Sequence, residues 1–218
     1  MSDIIAGTSV GICQIIIGHP IDTIKVIIQN RQQWTNMSLK SYYRGCTYPF
    51  IGSIIYNMLA FPIYERTIDK TNSDFISGFL GGLLISPFIY AVDIGKIKNQ
   101  TGLKFKCNDI FYNKGFFSSL LRESIATGIY FSSYNFCKKE LNYSILLSGG
   151  IAGLANWTLT YPIDVIRTRQ IAQNISVRKS IIQGDLWKGY TPCAIRAILV
   201  NSISFYVYEI VKKQCDKF

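Results

Sequence analysis

Histidine is nearly missing from this chain: one residue, His19, in 218. The six cysteines, at 13, 46, 107, 137, 193 and 215, form no Cys-x-x-Cys pair and have no histidine at ligand spacing. A metal centre built on cysteine and histidine is therefore not expected, and cysteines in apolar runs read as small hydrophobes. No nucleophile sits beside a base, and no glycine-rich loop is laid out to cradle phosphates. The chain reads as a non-enzyme with neither cofactor nor metal. Acids are scarce as well, 13 against 23 Lys and Arg, for a net charge of +10. The bases form no continuous stripe along one helix, which argues against nucleic acid. They gather where apolar runs end, as in Lys96-Ile97-Lys98 and Arg167-Thr168-Arg169, an arrangement suited to anionic headgroups or an anionic ligand. No Arg- and Ser-rich leader precedes the first apolar run at Ile4, so no cleavable presequence is expected.

Apolar residues fill the space that charge leaves. Hydrophobic residues make up 49% of the chain and charged ones 17%, although the mean hydropathy is a modest +0.20. Residues 4–18, 75–97 and 145–163 are apolar with small residues interspersed, and 46–64, 116–137 and 190–211 are apolar and rich in aromatics. Each run approaches the roughly 20 residues that a membrane-crossing helix needs. A soluble helical protein with buried helices shares this composition; the internal order of the chain argues against it.

That order is a repeat. Pro20-Ile21-Asp22-Thr23-Ile24-Lys25, Ala91-Val92-Asp93-Ile94-Gly95-Lys96 and Pro162-Ile163-Asp164-Val165-Ile166-Arg167 place their acids 71 residues apart both times. A fixed period signals a repeat architecture, with repeats at approximately 1–70, 71–141 and 142–218 of a single 1–218 domain. Each repeat reads as a helix, a short polar segment and a second helix. The first helix carries glycines four apart (Gly7 and Gly11, Gly78 and Gly82, Gly149 and Gly153), a spacing that lets helix backbones approach closely in a bilayer. Pro20 and Pro162 predict kinks. An aromatic or polar residue, a base and a glycine open the second helix: Tyr43-Arg44-Gly45, Asn113-Lys114-Gly115 and Trp187-Lys188-Gly189. Free N–H groups beside a base make these helix starts candidate phosphate sites, though simple capping at an interface fits them equally.

Taken in order and in register, Pro-x-Asp-x-x-Lys/Arg, the upstream Gly-x-x-x-Gly and the downstream aromatic-base-Gly resemble the mitochondrial carrier family along essentially the whole chain. Finer strings, Gly18-His19-Pro20-Ile21-Asp22-Thr23-Ile24-Lys25-Val26 and Gly149-Gly150-Ile151-Ala152-Gly153-Leu154-Ala155-Asn156-Trp157 among them, are similar to its carnitine/acylcarnitine and ornithine-like basic amino acid branch. The resemblance implies an all-α membrane protein. It would have six transmembrane helices in three tandem pseudo-threefold repeats around a central cavity, and would act as a monomer in the mitochondrial inner membrane of its own or a host's organelle.

The resemblance also assigns roles. Asp22 would pair with Lys96, Asp93 with Arg167 and Asp164 with Lys25 to close a matrix-side gate, braced by Gln29 and Gln100; Ile171 leaves the third brace out. Buried charges of this kind are costly and usually functional. The opposite, cytoplasmic gate would use Glu65, Asn135, Lys138, Glu209 and Lys212. Asn135 replaces an acid and Ile68 a base, so that gate is the weaker, with Glu65–Lys138 its full ion pair. Substrate contacts fall at Gly52, the adjacent Arg122 and Glu123, and Arg196. Arg44, Gly45, Lys114, Gly115, Lys188 and Gly189 would hold membrane lipid, cardiolipin in particular. The even helices lack the family's usual proline, having Ile55, Ile125 and Leu199 instead. The implied function is antiport of a small charged metabolite, an amino acid or carnitine-like solute. A nucleotide carrier and a carrier that no longer transports but serves as a membrane adaptor are the alternatives.

Overall fold

A computed structural model describes residues 2–32, 38–106, 108–197, 199 and 200. Glu209 and Lys212 lie outside the described residues. Among these residues the chain is helical, without strands. Four long helices carry the fold: α1 (Ser2–Gln29), α3 (Thr47–Thr71), α4 (Asp74–Gln100) and α7 (Ile145–Gln173), with α6 (Phe116–Lys139) between the last two. Three short helices link them: α2 (Leu39–Tyr42), α5 (Asp109–Tyr112) and α8 (Val177–Ile182). A further helical stretch covers residues 190–197.

The long helices extend past the apolar runs that announce them. α1, α4 and α7 continue through their acid-x-x-base segments, with Pro20, Pro87 and Pro162 inside them. Capping explains several ends. The side chains of Ser73, Ser144 and Ser176 accept from the backbone N–H groups of Ile76, Leu147 and Lys179, satisfying otherwise orphaned donors. Asn72 and Asn174 close α3 and α7 in the left-handed conformation, at φ 49° and 51°, which asparagine tolerates better than most residues. The short helices were not separable from polar linkers by pattern, since α2 and α5 are single turns.

Only α4, among the described residues, is long and apolar enough throughout to cross a membrane. The reason is local. α6 carries Arg122 and Glu123 mid-helix, and α7 carries Asn156, Asp164 and Arg167, which lower the apolarity of their spans.

Close backbone packing joins α4 to α6. A Cβ built on Gly82 would lie 2.5 Å from the carbonyl oxygen of Glu123, and one on Gly78 would lie 2.7 Å from that of Thr127. The glycine spacing in α4 therefore works as read. At Gly149 and Gly153 no described atom lies within 4 Å of a built Cβ. Below the acid–base segments an apolar cluster joins three helices: Val26 from α1, Tyr90, Ile94 and Ile97 from α4, and Ile171 from α7. The residue that replaces the third glutamine thus fills this core. A second cluster, Tyr161, Val165 and Cys193, packs α7 against the stretch at 190–197.

Candidate functional site

The three acid-x-x-base segments meet. Lys96 Nζ donates to Asp22 Oδ2 at 3.0 Å, Lys25 Nζ lies 2.8 Å from Asp164 Oδ2, and Arg167 Nη1 donates to Asp93. α1 is tied to α4, α4 to α7, and α7 to α1, so the three pairs close a ring. Helical spacing accounts for it: an acid and a base three apart share one helix face, and each helix turns that face toward its neighbours. Asp164, Lys25 and Arg167 are buried, while Asp22, Asp93 and Lys96 are half-buried. Charges this deep need partners to offset lost hydration, and each has one.

Gln29 donates to Asp164 Oδ2 at 3.1 Å and to the Tyr161 hydroxyl at 3.2 Å, so it reaches the Lys25–Asp164 pair. Gln100 donates instead to Thr23 Oγ1 at 3.1 Å. It touches the residue beside Asp22 and not the ion pair.

The ring draws in more charge than the repeat spacing indicates. Arg196 Nε lies 2.7 Å from Asp22 Oδ1, giving that acid a second base. Arg122 pairs with its neighbour Glu123, and its Nε lies 3.7 Å from Asp164 Oδ1. Arg167 also reaches Asp164 at 3.0 Å and Glu123 at 3.5 Å. Three of the predicted substrate contacts thus stand in direct contact with the ring. Gly52 faces Val92, the neighbour of Asp93: a Cβ there would meet Val92 Cγ1 at 3.1 Å. Trp157 offers its ring to two cations, Lys25 Nζ at 4.1 Å and Arg122 Cζ at 4.8 Å from the centroid, within cation–π range. A cavity of about 110 Å³ opens among Asp22, Lys25, Asp93, Lys96, Trp157 and Arg196. The Arg196–Asp22 contact, the role of Trp157 and the cross-links of Arg122 were not visible in the repeat pattern, since the repeat does not say which side chains meet across the cavity. His19 is buried and donates from Nε2 to the Arg44 carbonyl at 3.0 Å, a packing role.

At the other end of α3 and α6 the predicted Glu65–Lys138 ion pair is not formed. Both residues are exposed, and Lys138 Nζ lies 5.8 Å from the centroid of the Tyr134 ring. Asn135 donates to Tyr64 Oη at 2.6 Å and to Asp74 Oδ1 at 2.7 Å, and Tyr64 donates to Asp74 as well. An acid from the first turn of α4 engages Asn135, and the α6 segment is held toward α3 and α4, with no contact between Glu65 and Lys138.

The aromatic-base-Gly segments sit at helix starts, with Arg44, Lys114 and Lys188 exposed. Gly45 and Gly189 have φ of 76° and 87°, a backbone state that glycine adopts without steric cost. Gly115 instead has φ −81° as the α6 N-cap, its N–H donating to Asn113 Oδ1 at 2.9 Å. In the linking segments Lys98 Nζ lies 2.7 Å from Asp109 Oδ2. The Lys98 hydrogen bond, and then the Lys106 N–H, hold the Asp109 carboxyl below its usual range.

A family profile described as "Mitochondrial carrier protein" matches residues 139–217. The chain is 28% identical to the "Mitochondrial substrate carrier family protein S" of Dictyostelium discoideum, with 98% of this chain and 97% of that protein aligned. It is 26% identical to the "Mitochondrial basic amino acids transporter" of Bos taurus, over 96% of this chain and 90% of that one. Identity is again 26% with the "Mitochondrial arginine transporter BAC2" of Arabidopsis thaliana, over 95% and 89%. Over nearly its whole length the chain is similar to mitochondrial carriers. Its similarity runs to the basic amino acid branch of these carriers. The names of these relatives are those of transporters. The alignment to the Dictyostelium protein spans 276 positions against the 218 residues here.

Proposed function

We propose that the chain is an alternating-access antiporter of a small charged metabolite, an amino acid or carnitine-like solute, in the mitochondrial inner membrane. The observation that supports it best is the closed ring of Asp22–Lys96, Asp93–Arg167 and Lys25–Asp164. In this reading the ring is the matrix gate, shut in the resting state, and the site above it includes Gly52, Arg122, Glu123 and Arg196. Solute enters from the cytoplasmic side, where Glu65 and Lys138 stand apart. Opening the ring exposes paired charges at a cost, and a solute that binds the occluded intermediate best offsets it. Six transmembrane helices in three repeats act as one monomer, with Gln29 bracing the shut gate at Asp164 and Gln100 acting through Thr23. Arg44, Lys114 and Lys188, with their glycines, hold cardiolipin at the helix starts.

Reconstitution into liposomes with labelled lysine, arginine, ornithine, carnitine and a nucleotide tests this. Uptake of an amino acid or carnitine, dependent on internal solute, is expected; uptake of the nucleotide alone overturns the substrate class. Asp93→Lys should abolish uptake, and adding Arg167→Asp should restore part of it, since Arg167 also serves Asp164 and Glu123. The unpaired Glu65 and Lys138 favour a second reading, a membrane adaptor that does not transport. Uptake that is absent for every solute supports that second reading.

A further inference from the structure

We infer that the site takes a carboxylate-bearing solute of zero or single negative charge and discriminates against cations such as lysine; this deepens the transport reading and rests on it. The charge count around the cavity carries the inference. Four carboxylates, Asp22, Asp93, Glu123 and Asp164, meet five bases, Lys25, Lys96, Arg122, Arg167 and Arg196. Among the described residues the layer therefore holds one surplus positive charge.

Each carboxylate is already engaged. Asp22 has Lys96 and Arg196; Asp164 has Lys25, Arg167 and Arg122; Glu123 has Arg122 and Arg167; Asp93 has Arg167. A cationic side chain entering here finds an acid only by displacing a base, and it raises the surplus in a poorly solvated space where like charges repel strongly. A carboxylate lowers the surplus and meets guanidinium groups built for bidentate contact. α3 adds no acid to the layer. Its position facing Asp93's neighbour is Gly52, and Glu65 stands roughly 20 Å further along the helix at 1.5 Å per residue. A nucleoside triphosphate, with several negative charges, overshoots a surplus of one. The chain thus departs from what the names of its basic amino acid relatives say of those proteins.

The test uses the purified carrier in phosphatidylcholine–cardiolipin liposomes, with equal concentrations of labelled glutamate, glutamine and lysine. Lysine uptake is expected to be about tenfold or more slower than the faster of the other two. A smaller margin, or lysine as the fastest, overturns the charge assignment and leaves the transport reading intact. No uptake of any of the three overturns the inference, and the transport reading falls with it only if labelled carnitine is not taken up either. Arg196→Gln takes away the surplus charge, so the ratio of lysine to glutamate should rise about fivefold or more. If that variant does not turn over, the ligand-induced rise in unfolding temperature reads the same ratio in detergent. An unchanged ratio contradicts the inference.

Discussion

Asp164 shows how much rests on single side chains in this chain. Lys25, Arg167 and Arg122 all lie within 4 Å of its carboxylate, Gln29 donates to it, and it is 1% exposed. Asp164→Asn leaves Lys25 buried without its counter-charge, while Arg167 and Arg122 keep Asp93 and Glu123; breaking a buried pair costs about 3–5 kcal/mol. Thermal unfolding in detergent should register that loss, together with loss of uptake. Asp185→Asn is the contrasting case. Its pair with Arg31 is 2.8 Å long, but both side chains are largely exposed, so about 1 kcal/mol or less is expected. Glycine makes a second prediction at this scale. Gly45→Ala and Gly189→Ala place a Cβ on backbone in the left-handed region, and each should lower stability by about 1 kcal/mol. Equal unfolding temperatures for variant and parent would contradict the backbone assignment.

At this scale the spacing of like segments marked the six charges, and the family resemblance said which acid would face which base. The roles of Asp74 and Arg169 were not legible, nor was the contact of Arg196 with Asp22. Arg169 is fully buried and donates to the carbonyls of Gln29, Ser180 and Gly184, a set of acceptors that carries no side-chain signature. Asp74 reaches Asn135 across a helix pair, a long-range contact that periodicity does not encode.

Between elements, the α4–α6 contact is set by glycine. Gly82→Ala would bring a Cβ to 2.5 Å from a backbone oxygen of α6, and α6 can yield only by moving away. Overpacking of this kind costs about 1–3 kcal/mol. Because that oxygen belongs to Glu123, uptake should fall along with stability. The linker pairing gives a pH prediction. Asp109 is held below its ordinary value first by Lys98, so its contribution is present above the unfolded value and lost as pH falls through the folded one. The stability gap between the parent and Asp109→Asn should therefore be open at neutral pH and close below the ordinary aspartate range, about 3.9, when unfolding is followed against pH. Helix existence was legible from apolar run length. Helix ends were not, because α1, α4 and α7 continue through charged segments whose ion pairs remove the reason to stop. The single-turn helices α2 and α5 are too short for any pattern to mark.

Across the described residues, ion pairs tie one end, and hydrogen bonds among Asn135, Tyr64 and Asp74 hold the other. Ion pairs join α1, α4 and α7 above an apolar cluster, whereas Glu65 and Lys138 do not meet. The difference was legible in part, since the loss of an acid at 135 and a base at 68 marks the weaker end. The engagement of Asn135 by Asp74 was not. Alternating access requires that the tied end open when the other closes. The most direct measurement is disulfide trapping between Asp22→Cys and Lys96→Cys in a background with the native cysteines replaced by serine. The account expects the cross-link to form rapidly without solute, to block uptake, and to form more slowly when transported solute is present. A cross-link that never forms, or that forms and leaves uptake unchanged, contradicts a gate at this ring.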